Sequence, residues 1–331
     1  MLGQRDVGNR VVVRRLVGMR RNDRPIFTDL LGELVEFGDA HLVIRTADGA
    51  EHTVPLAEVH RAKRVPPRRP ANHRIVEIEL AADAAWPAPA RGPLGDWVLR
   101  AADGWSGRGN SALPVGDPGL PLGEAIEAVV AWYAGHGLTP MVNVPLPYAQ
   151  TLDDALAARG WPHRPPTQVM TAPLPAVLAA VPARPDLPEV RLCQAPSDAW
   201  LAIAAGRKGG LPGAALHLLI AVPQVRFAEV YDHSGELVAI ARGTVSEAPA
   251  ARTSGSGWFG VFLVEVVPAA RRTGLARHVV GSLARWAAAE GATRAYLQVE
   301  ERNTDAVALY ASLGYTTHHR YLTRYAPQPV D

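Results

Sequence analysis

Two arginines at a glycine-containing turn, a lone carboxylate in an apolar run and a phenol on a helix stand where this sequence can do chemistry. Arg271, Arg272, Thr273, Gly274, Leu275 and Ala276 follow an apolar run, 261–267, that stops at Pro268. They open an amphipathic stretch from about 275 to 290. The run predicts a strand and the stretch a helix. A strand, a basic turn and a helix N-terminus together make an anion site: N–H groups without intrahelical acceptors converge with the positive end of the helix dipole, and the guanidinium groups add full charges. Glu265 interrupts the apolar run, where an unpaired carboxylate is costly. It is a functional acid, an edge residue in solvent, or a partner of Arg272. Further on, a strand at 295–299 precedes Asn303, a favoured N-cap type. The helix after it carries Tyr310, four residues from Ala306 and three from Leu313, a spacing that suits a core aromatic.

These blocks resemble the GNAT N-acetyltransferases, whose pattern is V-x-P-x-x-R-x-x-G-x-G/A, a helix, a strand, then N-x-x-A-x-x-L-Y-x-x-x-G-F/Y. Val266, Pro268, Arg271, Gly274, Ala276, Asn303, Ala306, Leu309, Tyr310, Gly314 and Tyr315 fill it. The match covers about 258–325 and extends back to about 188. The resemblance implies an α/β fold of the GNAT kind, a mixed central sheet flanked by helices, with acetyl-CoA as cosubstrate and no metal. It implies that the coenzyme pyrophosphate lies on N–H groups from Arg271 to Ala276. It also implies that strand 261–267 splays from its neighbour, so that Val264 and Val266 pair with the pantetheine arm. Asn303 would contact the coenzyme through its side chain, and Tyr310 would protonate the departing thiolate. A phenol of pKa about 10 suits a thiol of about 8.5 once the site tunes both.

The acceptor implied is a primary amine. A lysine-like amine of pKa about 10.4 costs about 4.6 kcal/mol to deprotonate at pH 7 unless the site helps. Some protein-acetylating members of the family carry L-E-V-x-x-x-N here; this chain has Leu297, Gln298 and Val299, then Glu300, Glu301, Arg302 and Asn303. Gln298 takes no proton at pH 7. Glu265, Glu300 and Glu301 remain, with Glu265 the candidate base, directly or through water; deprotonation by bulk water stays open. A non-catalytic acyl-CoA sensor or scaffold, and a relative of tandem bacterial thiol synthases, are the other readings.

A second copy of the pattern lies upstream. Trp132, Gly137, Gly160 and Trp161 recur at an offset of 154 residues as Trp286, Gly291, Gly314 and Tyr315. At the same offset Tyr310 corresponds to Leu156, Asn303 to Ala149, and Arg271, Arg272 and Thr273 to Asp117, Pro118 and Gly119. Asp117 would repel a phosphate and Pro118 lacks the donor. Residues 72–180 therefore read as a degenerate GNAT-like half that supplies packing, a wall of the substrate cleft or a pseudo-dimer partner, and 188–327 as the catalytic half. The upstream half keeps one Gly-rich basic turn, 107–111, able to hold an anion.

The first 74 residues hold 14 Lys+Arg against 9 Asp+Glu. Residues 1–66 predict five short strands, 10–16, 30–37, 41–46, 52–54 and 59–65, and a small barrel of the Src-homology-3-like kind. The stiff basic segment 66–70 is a linker. Arg14, Arg15, Arg20, Arg21 and Arg24 could touch nucleic acid or an acidic partner, or form a solvated basic face. No stacking aromatics flank them. One cysteine, Cys193, excludes a disulfide framework. The first residues lack the apolar core of a signal peptide and no apolar run spans a bilayer, which suggests a cytoplasmic protein without membrane contact. The arginine-rich, lysine-poor composition suggests a bacterial source. The stretch 247–257 reads as a flexible loop, and 204–210 as a solvated loop or one able to bind an anionic substrate or acyl donor. His318 and His319, adjacent in a strand, should face opposite sides and cannot chelate jointly.

Overall fold

The computed structural model describes residues 2–19, 25–46, 50–65, 72–208, 210–246 and 257–327. Two units form, 1–69 and 70–331. Arg20, Arg21, Arg24, the linker and the segment 247–256 lie outside the described residues.

The first unit is a five-stranded antiparallel sheet of β1 (Arg10–Met19), β2 (Pro25–Phe37), β3 (His41–Arg45), β4 (Glu51–Pro55) and β5 (Val59–Arg64), in the order β4-β3-β2-β1-β5. Alternate apolar positions make its core: Val11, Val13, Leu34, Leu42, Ile44 and Val54 are all buried. Gly32 is required, because a Cβ there would sit 2.2 Å from the carbonyl oxygen of Arg45. Among the described residues no pairing joins β4 to β5, so the barrel read from the sequence is an open sheet in these pairings. Arg14 is not a free cation: its Nε donates to Asp29 across the β1–β2 pair at 2.8 Å.

In the second unit, chain order runs α1 (Asn72–Ala84), β6 (Ala90–Leu94), β7 (Trp97–Ala101), α2 (Leu122–Gly135), β8 (Met141–Leu146), α3 (Gln150–Ala158), β9 (Thr167–Pro173) and α4 (Leu174–Ala180). It continues with β10 (Val190–Cys193), α5 (Asp198–Lys208), α6 (Gly213–Ile220), β11 (Val225–Tyr231), β12 (Leu237–Ser246), β13 (Gly257–Val266), α7 (Leu275–Ala289), β14 (Ala292–Glu300), α8 (Thr304–Ser312) and β15 (Thr316–Tyr325). Strands β10 and β11, then β12, β13, β14, β9, β15 and β8 form one mixed eight-stranded sheet; β6 and β7 make a separate hairpin. Helices cover both faces. Helix α7 buries Leu275, Val279, Val280, Leu283 and Ala287 at helical spacing against one face, beside α4 and α8. Helices α1, α5 and α6 pack on the other, with Ile78, Trp200 and Leu218 in its core. The solvated loop expected at 204–210 is corrected up to Lys208: α5 runs through it, and Ala204 is fully buried.

The 154-residue offset superposes α3 on α8 at both ends, and α2 on α7 within a residue. Yet the halves do not build two sheets. Strand β9 follows α3 but hydrogen-bonds along β14, with Met170 opposite Leu297; β15 follows α8 but pairs with β8, with Leu322 opposite Val144. Each half gives its last strand to the other. A buried ion pair pins the exchange: Arg324 of β15 reaches Asp153 of α3 at 2.6 Å and the Trp161 carbonyl at 2.6 Å. A bulge between Thr317 and His319 also changes what the sequence suggested for the two histidines. Their rings meet, Nδ1 to Nδ1, at 2.9 Å, and buried His319 is bonded through Nε2 to buried Glu79 of α1 at 2.9 Å.

Candidate active site

The site forms where β13 leaves its neighbour. The parallel β13–β14 pairing ends at Val261 opposite Leu297, while β13 continues along β12 as far as Val266 opposite Ala239. The register with β12 shifts between Ile240 and Arg242, so Leu263 and Val264 share the space opposite Ala241. Leu263 takes the left-handed conformation at φ 50°. A branched side chain there is strained, and such bulges turn a strand away from its partner. The β14-facing backbone at Leu263 and Val264 is thereby opened to a wedge. No residue type marks this position in advance; leucine at a positive φ has no sequence signature.

The turn after β13 is a single 3₁₀ turn, Pro268–Ala270, followed by Arg272 at φ 65° and Gly274 at φ 94°. Gly274 is the N-cap of α7 and supplies no side chain to cap it. The first bond of the helix runs from His278 N–H to the Gly274 carbonyl, which leaves the N–H groups of Leu275, Ala276 and Arg277 without helical acceptors. Two side chains brace this turn: Arg271 Nε donates to the Val266 carbonyl at 3.1 Å, and the Thr273 hydroxyl donates to the Ala270 carbonyl at 2.7 Å. Arg272 is exposed. A recess of about 330 Å³ adjoins Gly274, walled by Arg184, Arg277, His278 and Arg285.

The equivalent turn of the first half is closed by its own carboxylates. Asp117 N–H donates to Asp96 at 2.9 Å, and Gly119 N–H donates to Asp117 at 2.8 Å. The donors that would meet an anion are already taken.

Tyr310 lies on α8, buried, edge-to-face with Tyr315 at 6.0 Å, in the apolar cluster that Val264 and Val266 border. The Tyr315 hydroxyl is buried with no hydrogen-bond partner, and burial pushes its pKa up. Asn303 caps α8, its Oδ1 accepting from Ala306 N–H at 3.3 Å. Glu265 is half-buried opposite Ile240. Of the other candidate acids, Glu300 is tied to Arg302 at 2.6 Å and Glu301 lies 4.0 Å from Arg320. Val264, Glu265 and Val266 thus lie on β13, Arg271 to Gly274 in the turn after it, Leu275 and Ala276 in the first turn of α7, Asn303 at the cap of α8 and Tyr310 on that helix. Among the described residues no cluster of three or more His, Cys, Asp or Glu side chains could hold a metal, and no helix is long and apolar enough to cross a membrane.

The profile of the family described as "Probable histone acetyltransferase Rv0428c C-terminal" matches residues 73–326. The chain belongs to the GNAT acetyltransferases. This GNAT chain is 30% identical over 328 residues to a protein of Mycobacterium tuberculosis named probable histone acetyltransferase Rv0428c, across 96% of this chain and 95% of that one. It is 28% identical over 253 residues to the uncharacterized N-acetyltransferase YobR of Bacillus subtilis, across 75% of this chain and 97% of that one. A GCN5-related N-acetyltransferase from Kribbella flavida shares the fold with a TM-score of 0.56, at 19% identity, over 76% of this chain and 94% of that one. As a GNAT acetyltransferase the chain is an acyl-transfer protein.

Proposed function

We propose that the protein moves an acetyl group from acetyl-CoA to a primary amine by direct attack on the thioester. The observation that carries this reading is the opening of β13 beyond Val261, which leads to the uncapped N-terminus of α7. The N–H groups of Leu275 and Ala276, with Thr273, Gly274 and the charges of Arg271 and Arg272, would hold the pyrophosphate. The Val264 and Val266 backbone would pair with the pantetheine amides, and Asn303 would lie beside the arm. The amine nitrogen attacks the carbonyl carbon, the C–S bond breaks, and the sulfur takes a proton from Tyr310. The amine proton passes to Glu265 or to water.

Calorimetric titration of acetyl-CoA into the wild type and Arg272→Glu, followed by an amine panel read by thiol release, tests this. Tight binding that is weakened at least about tenfold in the variant, together with turnover of an amine, supports it. Binding without turnover of any amine favours an acyl-CoA sensor, and no binding removes the proposal. The name of the mycobacterial relative makes a protein lysine one acceptor for the panel.

A further inference from the structure

The Gly-rich basic turn 107–111 has no part in the reaction just proposed, although it is built with care. Asn110, fully buried, accepts through Oδ1 from the N–H groups of Ala102 at 2.8 Å and Gly104 at 2.9 Å, and donates to the Ser106 carbonyl at 2.8 Å. The Ser106 hydroxyl accepts from Gly109 N–H at 3.0 Å and from Trp86 Nε1–H at 3.1 Å. A Cβ on Gly109 would lie 2.9 Å from that hydroxyl and 3.1 Å from Leu218.

What this rigid turn presents is Arg108. Its guanidinium carbon stands 5.6 Å from the centroid of Phe262 and 5.9 Å from that of Trp86. From β12, fully buried Arg242 approaches the same two rings, at 5.2 Å and 5.1 Å. Arg242 donates Nε to the Leu219 carbonyl at 2.8 Å and Nη2 to the Ala85 carbonyl at 3.1 Å, but its Nη1 is buried without a partner. The Nε of Arg108 is likewise buried and unpartnered. Among the described residues neither arginine has an ion-pair partner. Burial pulls the Arg242 pKa down to about 9; the charge of Arg108 adds to this and Tyr296 opposes it. The two guanidinium groups thus share the same two rings, each with one buried nitrogen that has no hydrogen-bond partner. Buried donors of this kind are costly to leave unpaired, and an anion would satisfy them.

The place decides whose anion it is. Phe262 directly follows Val261, the last residue of β13 to pair with β14. The rise from Phe262 to Val266 is about 13 Å, so the phosphates of a coenzyme seated at the α7 N-terminus lie at the far end of the opening. On the acetyl-transfer reading, the thioester end and the acceptor would therefore lie towards Phe262. We propose that Arg108 and Arg242, walled by Trp86 and Phe262, bind a carboxylate of the acceptor, so that the substrate is an amine bearing an acid group. The proposal rests on the acetyl-transfer reading above. It makes a lysine-rich segment a poor acceptor, because two uncompensated cations repel it.

The test pairs acids with their amides on the full chain: glycine, β-alanine and phenylalanine, each beside its amide, with phosphoethanolamine beside ethanolamine and a lysine-rich peptide. Acetyl-CoA binding is followed in parallel by calorimetry. The expected result is a kcat/KM for acids about tenfold or more above that for amides in the wild type, as a charge-assisted contact gives. Arg108→Gln should remove most of that ratio and Arg108→Lys only part of it. A phosphate arm that outruns the carboxylates would overturn the carboxylate assignment. Equal rates for acids and amides, a preferred peptide, or a ratio unchanged in Arg108→Gln would overturn the site, while coenzyme binding and turnover left the acetyl-transfer reading standing. Absence of acetyl-CoA binding would instead remove both.

Discussion

At the scale of single residues, Tyr310 is the sharpest point of the proposed chemistry. Tyr310→Phe keeps the ring and its packing on Tyr315 and removes only the hydroxyl. We expect kcat to fall about a hundredfold, with acetyl-CoA affinity within about twofold, since a general acid contributes to the transition state alone. A kcat within twofold of wild type would show that the sulfur finds its proton elsewhere. His318 offers a prediction of a different kind. Burial, then His319 and Arg74, push it down to about 4, with Glu77 and Glu79 pulling the other way. The unfolded value is about 6.5, so between these values the unfolded chain binds more protons and stability rises with pH. Melting temperature should therefore fall as pH drops from about 6.5 towards 4, and His318→Gln should flatten that slope. Side-chain identity made the turn arginines, Asn303 and Tyr310 legible as candidates, because their types carry the chemistry. Leu263 and Arg242 were not legible: a positive φ at leucine and a buried arginine with one unbonded nitrogen are products of packing, not of residue pattern.

At the scale of elements, strands and helices were readable where periodicity was strong. Helix α7 begins at the predicted Leu275 and ends one residue before the expected Glu290. The five strands of the first unit lie on their alternating runs, though β1 extends three residues past its expected end and β2 begins five residues before its expected start. The splay of β13 came from the resemblance alone, since pairing partners are not written in a strand. Asn303→Ala tests the α8 cap. Loss of the bond to Ala306 should cost about 1 kcal/mol and lower the melting temperature by about 2 °C. If calorimetry also shows acetyl-CoA affinity falling more than about tenfold, the side chain contacts the coenzyme as well; an unchanged affinity would confine it to capping.

At the scale of the whole molecule, the repeat was legible and its consequence was not. Matching tryptophans and glycines disclosed two halves, but nothing local says that β9 will enter the sheet between β14 and β15. Exchange is decided by which edges are left open once both halves are assembled. It predicts that residues 188–331 expressed alone will not fold, since β14 and β15 would then face each other across a missing strand and Arg324 would lose Asp153. Circular dichroism and thermal melting of that fragment, beside residues 70–331, would check it; a cooperative melt of the short fragment would count against the role given to β9.

The crossed strands also bear on what joins them. The peptide between α4 and β10 packs on α7 through Val181, Leu187 and the Pro188 carbonyl, but the two pieces it joins are already laced into one sheet. Cut there, the chain should remain a tight two-fragment complex, and the fragments, made separately and mixed, should restore one another. In that sense the second unit is a heterodimer whose partners happen to be encoded in tandem, and their loyalty to each other lies in hydrogen bonds rather than in the covalent link.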